Sequence, residues 1–213
     1  KGIETAIRAV AALQNDFPDI QYVILGATHP ELKRREGERY RESLQSLVRE
    51  LGAESRVTFI DQFTRKEHLC RFLAGAGVYV TPYLGKDQIV SGTLAYAVAF
   101  GLPVVSTPFA YATDLAEKNA AVLFPFGDDQ SLADRLRDLF TRSTLRKNLS
   151  EAAFRLGKTM RWPIVGTALA HEFEIARRLS RPLLHVEPNP VATVNLNTRH
   201  ESFANAGGTR RAS

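Results

Sequence analysis

The sequence predicts an α/β domain: a doubly wound parallel sheet with helices on both faces. Three observations predict it. Short strand-like runs alternate with helix-like segments along residues 1–180. Each short run is continuously apolar rather than alternating, the pattern of strands buried on both faces. The segments that follow the runs concentrate Gly, Pro, Ser, Thr, Asp and Gln. In doubly wound sheets those segments sit at the carboxyl ends of the strands, where ligands bind.

The elements follow in order. Ile3, Ala6, Ile7, Val10 and Leu13 mark one face of a first helix, closed by Asp16-Phe17-Pro18. Residues 21–25 form a buried strand ended by Gly26, and a loop covers 27–31. Tyr40, Leu44, Leu47, Val48 and Leu51 stripe a second helix capped by Gly52. Residues 56–60 are a strand. Leu69, Phe72 and Leu73 mark a third helix, ended by Gly75-Ala76-Gly77.

The stretch 78–107 then reads strand, loop, helix, tight turn, strand. Val78-Tyr79-Val80 is ended by Thr81-Pro82, and Ser91-Gly92-Thr93 opens a helix that runs to Phe100. Gly101-Leu102-Pro103 stops that helix before the strand 104–106. Residues 108–113 lead to a short helix around 114–118 and a strand at 121–124. Leu132, Leu136, Leu139 and Phe140 stripe the next helix. Two more helices span about 143–156 and 162–179. From Arg181 periodicity is lost, and Pro182, Pro188 and Pro190 stand among scattered Asn, Thr and Gly. Residues 181–213 therefore read as a linker or disordered tail, outside a domain at 1–180.

Composition narrows the function. Hydrophobic residues are 44% and charged residues 24% of 213, as in a globular domain with a sizeable core. No apolar run approaches the about 20 residues that a membrane helix needs. The net charge of +5 fits anionic ligands or an anionic membrane surface. No platform of interleaved aromatic and basic residues accompanies it, which argues against nucleic acid. The single cysteine, Cys70, excludes an internal disulfide, points to a reducing compartment and is expected buried on its helix.

Known site motifs are absent. There is no Gly-x-Gly-x-x-Gly turn, no P-loop and no Gly-x-Ser-x-Gly elbow. No His/Cys/Asp cluster has metal-ligand spacing. What remains is the helix opened by Ser91-Gly92-Thr93. Its first amides have no intrahelical partner and face the carboxyl end of a parallel strand, which makes a ready anion site.

The chain resembles a known family. Lys1-Gly2 before the first helix, Val23-Ile24-Leu25-Gly26, Arg56-Val57-Thr58-Phe59, Gly77-Val78-Tyr79-Val80-Thr81-Pro82 and Gly101-Leu102-Pro103-Val104-Val105-Ser106 occur in order. Over roughly residues 1–178 they resemble the C-terminal, donor-binding half of retaining, family 4 or "group 1" glycosyltransferases of GT-B fold. The resemblance implies a Rossmann-like domain that binds a nucleotide-diphospho-sugar as donor substrate, with no metal or other cofactor. It implies that Lys1 neutralises the donor diphosphate together with an arginine upstream, and that Ser91, Gly92 and Thr93 contact the phosphates. Two glutamates usual in the family fall at Gln88 and Tyr96 here. Gln88 takes the catalytic position near the sugar hydroxyls, without charge but still able to hydrogen-bond. Tyr96 falls near the ribose. A subgroup with Gln-Ile-x-Ser-Gly-Thr-Leu-Ala-Tyr-Ala resembles residues 88–97, which favours substitution within a working site.

Gly26 and His29 lie at a strand's carboxyl end, Gly26 as a donor contact and His29 as a donor or acceptor contact or a loop-stabilising residue, and the resemblance also implies nucleobase contacts at Gln62 and Phe63 after the next strand. Each has a plainer reading. Lys1 can be a solvated chain end, Ser91 an ordinary N-cap, Gln88 a solvated loop residue and Tyr96 a core aromatic. Asp87 reads as a loop charge, Lys33-Arg34-Arg35 as a solvated face, and Trp162 as core or an inter-domain contact. The acceptor, whether carbohydrate, lipid-linked or other, is expected on an N-terminal domain outside this chain. The expected location is cytoplasmic, with peripheral contact at the inner face of a membrane. Two other classes stay open. One is a non-catalytic nucleotide-binding or scaffold protein. The other is a GT-B-fold epimerase, for whose acidic catalytic residues Asp61, Asp87 and Asp114 are only weak candidates, or a phosphorylase, for which no pyridoxal-phosphate lysine stands out.

The family pattern places a strand upstream of Lys1, and in the doubly wound order that strand is central. Without the acceptor domain the 213-residue chain alone is expected to be inactive, and without that strand it is expected to melt below the range of ordinary mesophile domains, about 45–65 °C. Differential scanning calorimetry checks this; a sharp cooperative transition above that range contradicts it.

Overall fold

The computed structural model describes residues 1–28 and 30–179, apart from the side chain of Leu32. The element order is α1 (Ile3–Leu13), β1 (Tyr22–Leu25), α2 (Pro30–Glu36), α3 (Arg39–Glu50), β2 (Val57–Ile60), α4 (Lys66–Gly75) and β3 (Tyr79–Thr81). It continues with α5 (Gly92–Ala99), β4 (Val104–Ser106), α6 (Ala110–Glu117), β5 (Ala121–Leu123), α7 (Asp129–Thr141), α8 (Ser143–Thr159) and α9 (Trp162–Leu179). The tail expected at 181–213 lies outside the described residues.

All strand pairs are parallel, and they form two ladders. β1 pairs with β2, Tyr22 opposite Val57 through Leu25 opposite Ile60. β4 is the middle of the other ladder, between β3 and β5, with Val105 opposite both Val80 and Val122. Every residue of β4 is buried, which explains its unbroken apolar run, Val104-Val105 ending in a buried Ser106. Among the described residues no pairing joins β1 to β3.

Helix α1 serves both ladders. Ala6, Ala9 and Leu13 join Val105, Phe124 and the α7 leucines Leu132, Leu136 and Leu139 in one core cluster. Ile7 and Val10 join Leu44, Leu47, Val48 and Val57 in another, under β1 and β2. A third cluster packs Leu94 and Val98 of α5 against Ala152 and Ala153 of α8, with Val104 and Phe109. Gly157 shows how closely α5 and α8 approach. A Cβ there would sit 2.6 Å from the Ala99 Cα and 2.8 Å from the Val98 carbonyl oxygen.

Four details differ from the sequence reading. The segment expected as a loop gives way to α2 at Pro30, since a proline fits a helix's first turn, where its missing N–H costs nothing. The helix expected around 114–118 begins at Ala110, with Ala112 and Leu115 buried. Cys70 is half-buried, not buried. Trp162 is 83% exposed and is not a core residue; α9 carries no buried residue at all. Residues 1–168 form one compact unit. A second begins at Leu169, and its described part, to Leu179, is helical.

Gly157→Ala should push α8 off α5 and destabilise the domain by about 1–3 kcal/mol. Gly166→Ala, where a Cβ meets nothing within 4 Å, should instead stabilise α9 slightly. Urea unfolding of the two variants against the parent checks both signs.

Candidate functional site

The site is built where three features meet: the N-terminus of α1, the loop after β3 and the N-terminus of α5. Gly2 caps α1 with φ of 69°, a left-handed conformation that favours glycine. A Cβ on Gly2 would lie 1.9 Å from the Pro82 carbonyl oxygen. Only glycine lets α1 begin there, and this contact brings Lys1 to the loop after β3. Lys1, Tyr83, Leu84, Gly85, Asp87 and Gln88 line an open cleft of about 460 Å³. The Lys1 Nζ stands 4.4 Å from the centroid of the Tyr83 ring.

The floor of this region is a chain of hydroxyls. Thr81 Oγ1 donates to Ser106 Oγ at 2.7 Å, joining β3 to β4. Thr107 Oγ1 donates to the Tyr83 carbonyl at 2.8 Å. Thr81, Ser106 and Thr107 are buried, and these bonds satisfy polar groups that would otherwise be costly inside. They also fix the path of the chain as it leaves β3.

Ser91 caps α5, its Oγ accepting from the Leu94 N–H at 3.4 Å. The plainer reading of Ser91 as an N-cap is thus what its geometry shows. Gly92 and Thr93 are exposed in the first turn, where amides lack intrahelical partners. The Thr93 hydroxyl accepts from Tyr79 OH at 2.7 Å. Burial pushes the Tyr79 phenol up to about 12, so it stays a protonated donor. Gln88 is half-buried, and its amide nitrogen donates to the Val90 carbonyl, folding the side chain onto its own loop. Tyr96 is 36% exposed beside the buried Leu94, Ala97 and Val98, so it faces outward rather than into the core. The Lys66 Nζ lies 6.0 Å from its ring.

The remaining candidates sit at the other ladder. Gly26 ends β1, its N–H donating to Ile60 O at 3.0 Å and its carbonyl accepting from Arg41 Nη2 at 2.7 Å. The same Nη2 is 3.0 Å from Asp61 Oδ1 at the end of β2. Gln62 donates its N–H to Ile60 O at 3.0 Å, its carbonyl accepts from Thr64 Oγ1 at 3.2 Å, and Phe63 is 91% exposed. His29 lies outside the described residues. Lys1 and Gln88 therefore share one cleft, with Ser91–Thr93 at the end of the same loop. Gly26, Gln62 and Phe63 form a separate group at the ends of β1 and β2.

Three residues escaped the sequence reading. Gly2 was legible only as a partner of Lys1. Tyr83 follows Pro82 directly but carries no motif of its own. Arg41 lies on a helix, far in sequence from Asp61, and nothing local marks it. The Arg41 side chain is 12% exposed and stands 3.6 Å from Glu38, which also accepts from Thr28 and pairs with Lys33 at 2.7 Å. This charge cluster binds together the ends of β1 and β2 and the start of α3.

The sequence model of "Glycosyl transferases group 1" matches residues 1–156. The chain belongs to the group 1 glycosyl transferases. No curated protein matches it. Among solved structures, this glycosyl transferase chain is similar to the C-terminal domain of a group 1 family protein, LpcC, from Francisella tularensis. Identity is 19%, with a TM-score of 0.65 over 75% of this chain and 79% of that one. It is similar to Anabaena Alr3699/HepE, solved in complex with UDP, at 20% identity and TM-score 0.66, covering 83% of this chain and 44% of that one. It is also similar to WaaG, a glycosyltransferase involved in lipopolysaccharide biosynthesis, at 27% identity and TM-score 0.60, covering 75% and 40%. The chain thus spans less than half of the last two proteins. These likenesses agree with the α/β fold of GT-B domains. No described helix is long and apolar enough to cross a membrane, and no described His/Cys/Asp/Glu group could hold a metal ion.

The Glu38 cluster makes a pH prediction for this glycosyl transferase domain. The hydrogen bond from Lys33, then that from Thr28, holds the Glu38 carboxyl below its usual 4.5. A lowered folded-state value means the unfolded chain binds the proton first, so this contribution is complete above pH 4.5 and lost as pH falls through the folded value. Lys33 is raised above 10.5 by the same bond, so its share is complete below 10.5 and lost at higher pH. Glu38→Gln should flatten the acid limb of a melting-temperature profile below about pH 4.5. It should leave the slope between pH 6 and 8 unchanged.

Proposed function

We propose that this chain is the donor-binding half of a retaining, metal-independent glycosyltransferase that takes its sugar from a nucleotide-diphospho-sugar. The observation that carries the reading is the cleft in which Lys1 and Gln88 meet beside the N-terminus of α5. Membership of the group 1 family supports it, as does the UDP bound to the Anabaena neighbour.

The chemistry follows from charge. As the bond between the anomeric carbon and the diphosphate oxygen breaks, negative charge builds on the leaving group and positive charge on the sugar. The Lys1 ammonium and the first amides of α5 stabilise the former without a metal. The acceptor hydroxyl oxygen bonds the anomeric carbon, and its proton passes to the diphosphate. Gln88 holds the sugar hydroxyls through neutral hydrogen bonds. Tyr96 is available to the ribose because it faces outward. Gly26, Gln62 and Phe63 form the nucleotide end, and His29 is a further donor contact. Retention rests on the family resemblance. The acceptor binds a domain outside this chain, and the protein acts in the cytoplasm, with peripheral contact at a membrane drawn by its basic excess.

A second reading, a nucleotide-binding scaffold without transfer activity, is favoured by one observation: neutral Gln88 and Tyr96 stand where the resemblance expects carboxylates. Incubating the full-length protein with labelled nucleotide sugars separates the two. Transfer with retained anomeric configuration supports the enzyme; nucleotide binding with neither transfer nor hydrolysis supports the scaffold. Gln88→Ala should lower kcat/KM about tenfold, the worth of a neutral hydrogen bond to substrate. Unchanged transfer would overturn the sugar contact.

A further inference from the structure

We propose that Tyr83 is the positioning residue of the diphosphate site. Its ring seats the Lys1 ammonium and its hydroxyl holds the serine that caps α5, so one side chain sets the two positive elements in place. This rests on the diphosphate reading above and assigns a role to a residue that carries no motif.

The ring is immobilised first. Tyr83 is half-buried and packs on the fully buried Phe109, with ring centroids 5.0 Å apart and planes at 39°. Its carbonyl is held by the buried Thr107. The residue before it, Pro82, carries the carbonyl against which Gly2 closes. The ring is therefore fixed to β3, to α6 and to the start of α1 together.

The fixed ring then acts at both ends. The Lys1 Nζ at 4.4 Å from the centroid is within cation–π range. Among the described residues Lys1 makes no ion pair, although Asp87 lines the same cleft. This difference matters chemically. A carboxylate would orient the ammonium but neutralise it, and a diphosphate would have to displace that partner. An aromatic face orients the ammonium through its quadrupole and leaves the full charge for an anion. At the other end, Tyr83 OH is 3.1 Å from Ser91 Oγ, which caps α5. That contact also closes the base of the exposed loop 84–90, which carries Gln88. Lys1, Gln88 and the α5 amides are thus referenced to one ring.

Binding of UDP, GDP and ADP, and of the matching nucleosides, to the full-length protein tests this by calorimetry. Tyr83→Leu should weaken the preferred diphosphate about tenfold and leave its nucleoside unchanged. Lys1→Ala combined with Tyr83→Leu should be only about threefold weaker than Lys1→Ala alone, the share of the hydroxyl contact to Ser91, rather than the full tenfold, because the ring and the ammonium make one interaction that either change removes. Tyr83→Phe keeps the ring and its packing, so it should bind nucleosides as the parent does and diphosphates about threefold more weakly. Equal losses for nucleoside and diphosphate, or additive effects of the Lys1 and Tyr83 changes, would reduce Tyr83 to a packing residue. If Tyr83→Leu does not fold, unaltered diphosphate binding by Tyr83→Phe alone refutes the hydroxyl clasp. If the parent binds no nucleoside diphosphate, the diphosphate reading itself fails, and this inference with it.

Discussion

Helix α1 is the member on which both ladders rest. It is buried on two sides, Ala6, Ala9 and Leu13 toward α7 and β4, Ile7 and Val10 toward α3 and β2. The alanines let α7 lie close, and the larger residues fill the space under the two-stranded ladder. A helix held on two sides has little freedom to rotate or slide, because cores pack as densely as crystals. Its N-terminus is therefore placed by the core. Gly2 then lets that end close on the Pro82 carbonyl, and Lys1 arrives at the cleft as a consequence.

The charges are arranged by the same logic. Parallel strands leave their carboxyl ends on one edge, and the buried hydroxyls of Thr81, Ser106 and Thr107 satisfy the backbone where the chain turns away. At the β1–β2 ladder Arg41 does the equivalent work with charge, since it binds Gly26 and Asp61 at once. Asp61 is thereby engaged in an ion pair with Arg41. Among the described residues Arg41 Nε and Nη1 are buried with no hydrogen-bond partner, so this tie is electrostatic more than it is a saturated network.

Much of the fold was legible in the sequence because local pattern and burial agree. The strand 104–106 and the helices that begin at Ile3, Ser143 and Trp162 appear where apolar periodicity puts them. The start of α2 was missed because Lys33-Arg34-Arg35 carries no apolar stripe. The exposure of Trp162 was missed because hydrophobicity predicts burial only when a partner element lies within reach. At the site, Lys1, Gln88 and Ser91–Thr93 were legible through an ordered series of short motifs. Tyr83 and Arg41 were not, because each acts on residues brought near only by folding.

The sequence by itself determined the alternation of strand and helix, the parallel character of the sheet and the family to which the chain belongs. These follow from periodicity and motif order, which are local or nearly so. Tertiary structure alone decided that Lys1 lies over the Tyr83 ring and that Tyr83 reaches Ser91. It also decided that Gln62 and Phe63 stand apart from the Lys1 cleft, at the other ladder. The physical reason is range. An ammonium over an aromatic face, or a hydroxyl on a capping serine, depends on distances of a few ångströms between segments far apart in the chain, and no local pattern encodes those distances.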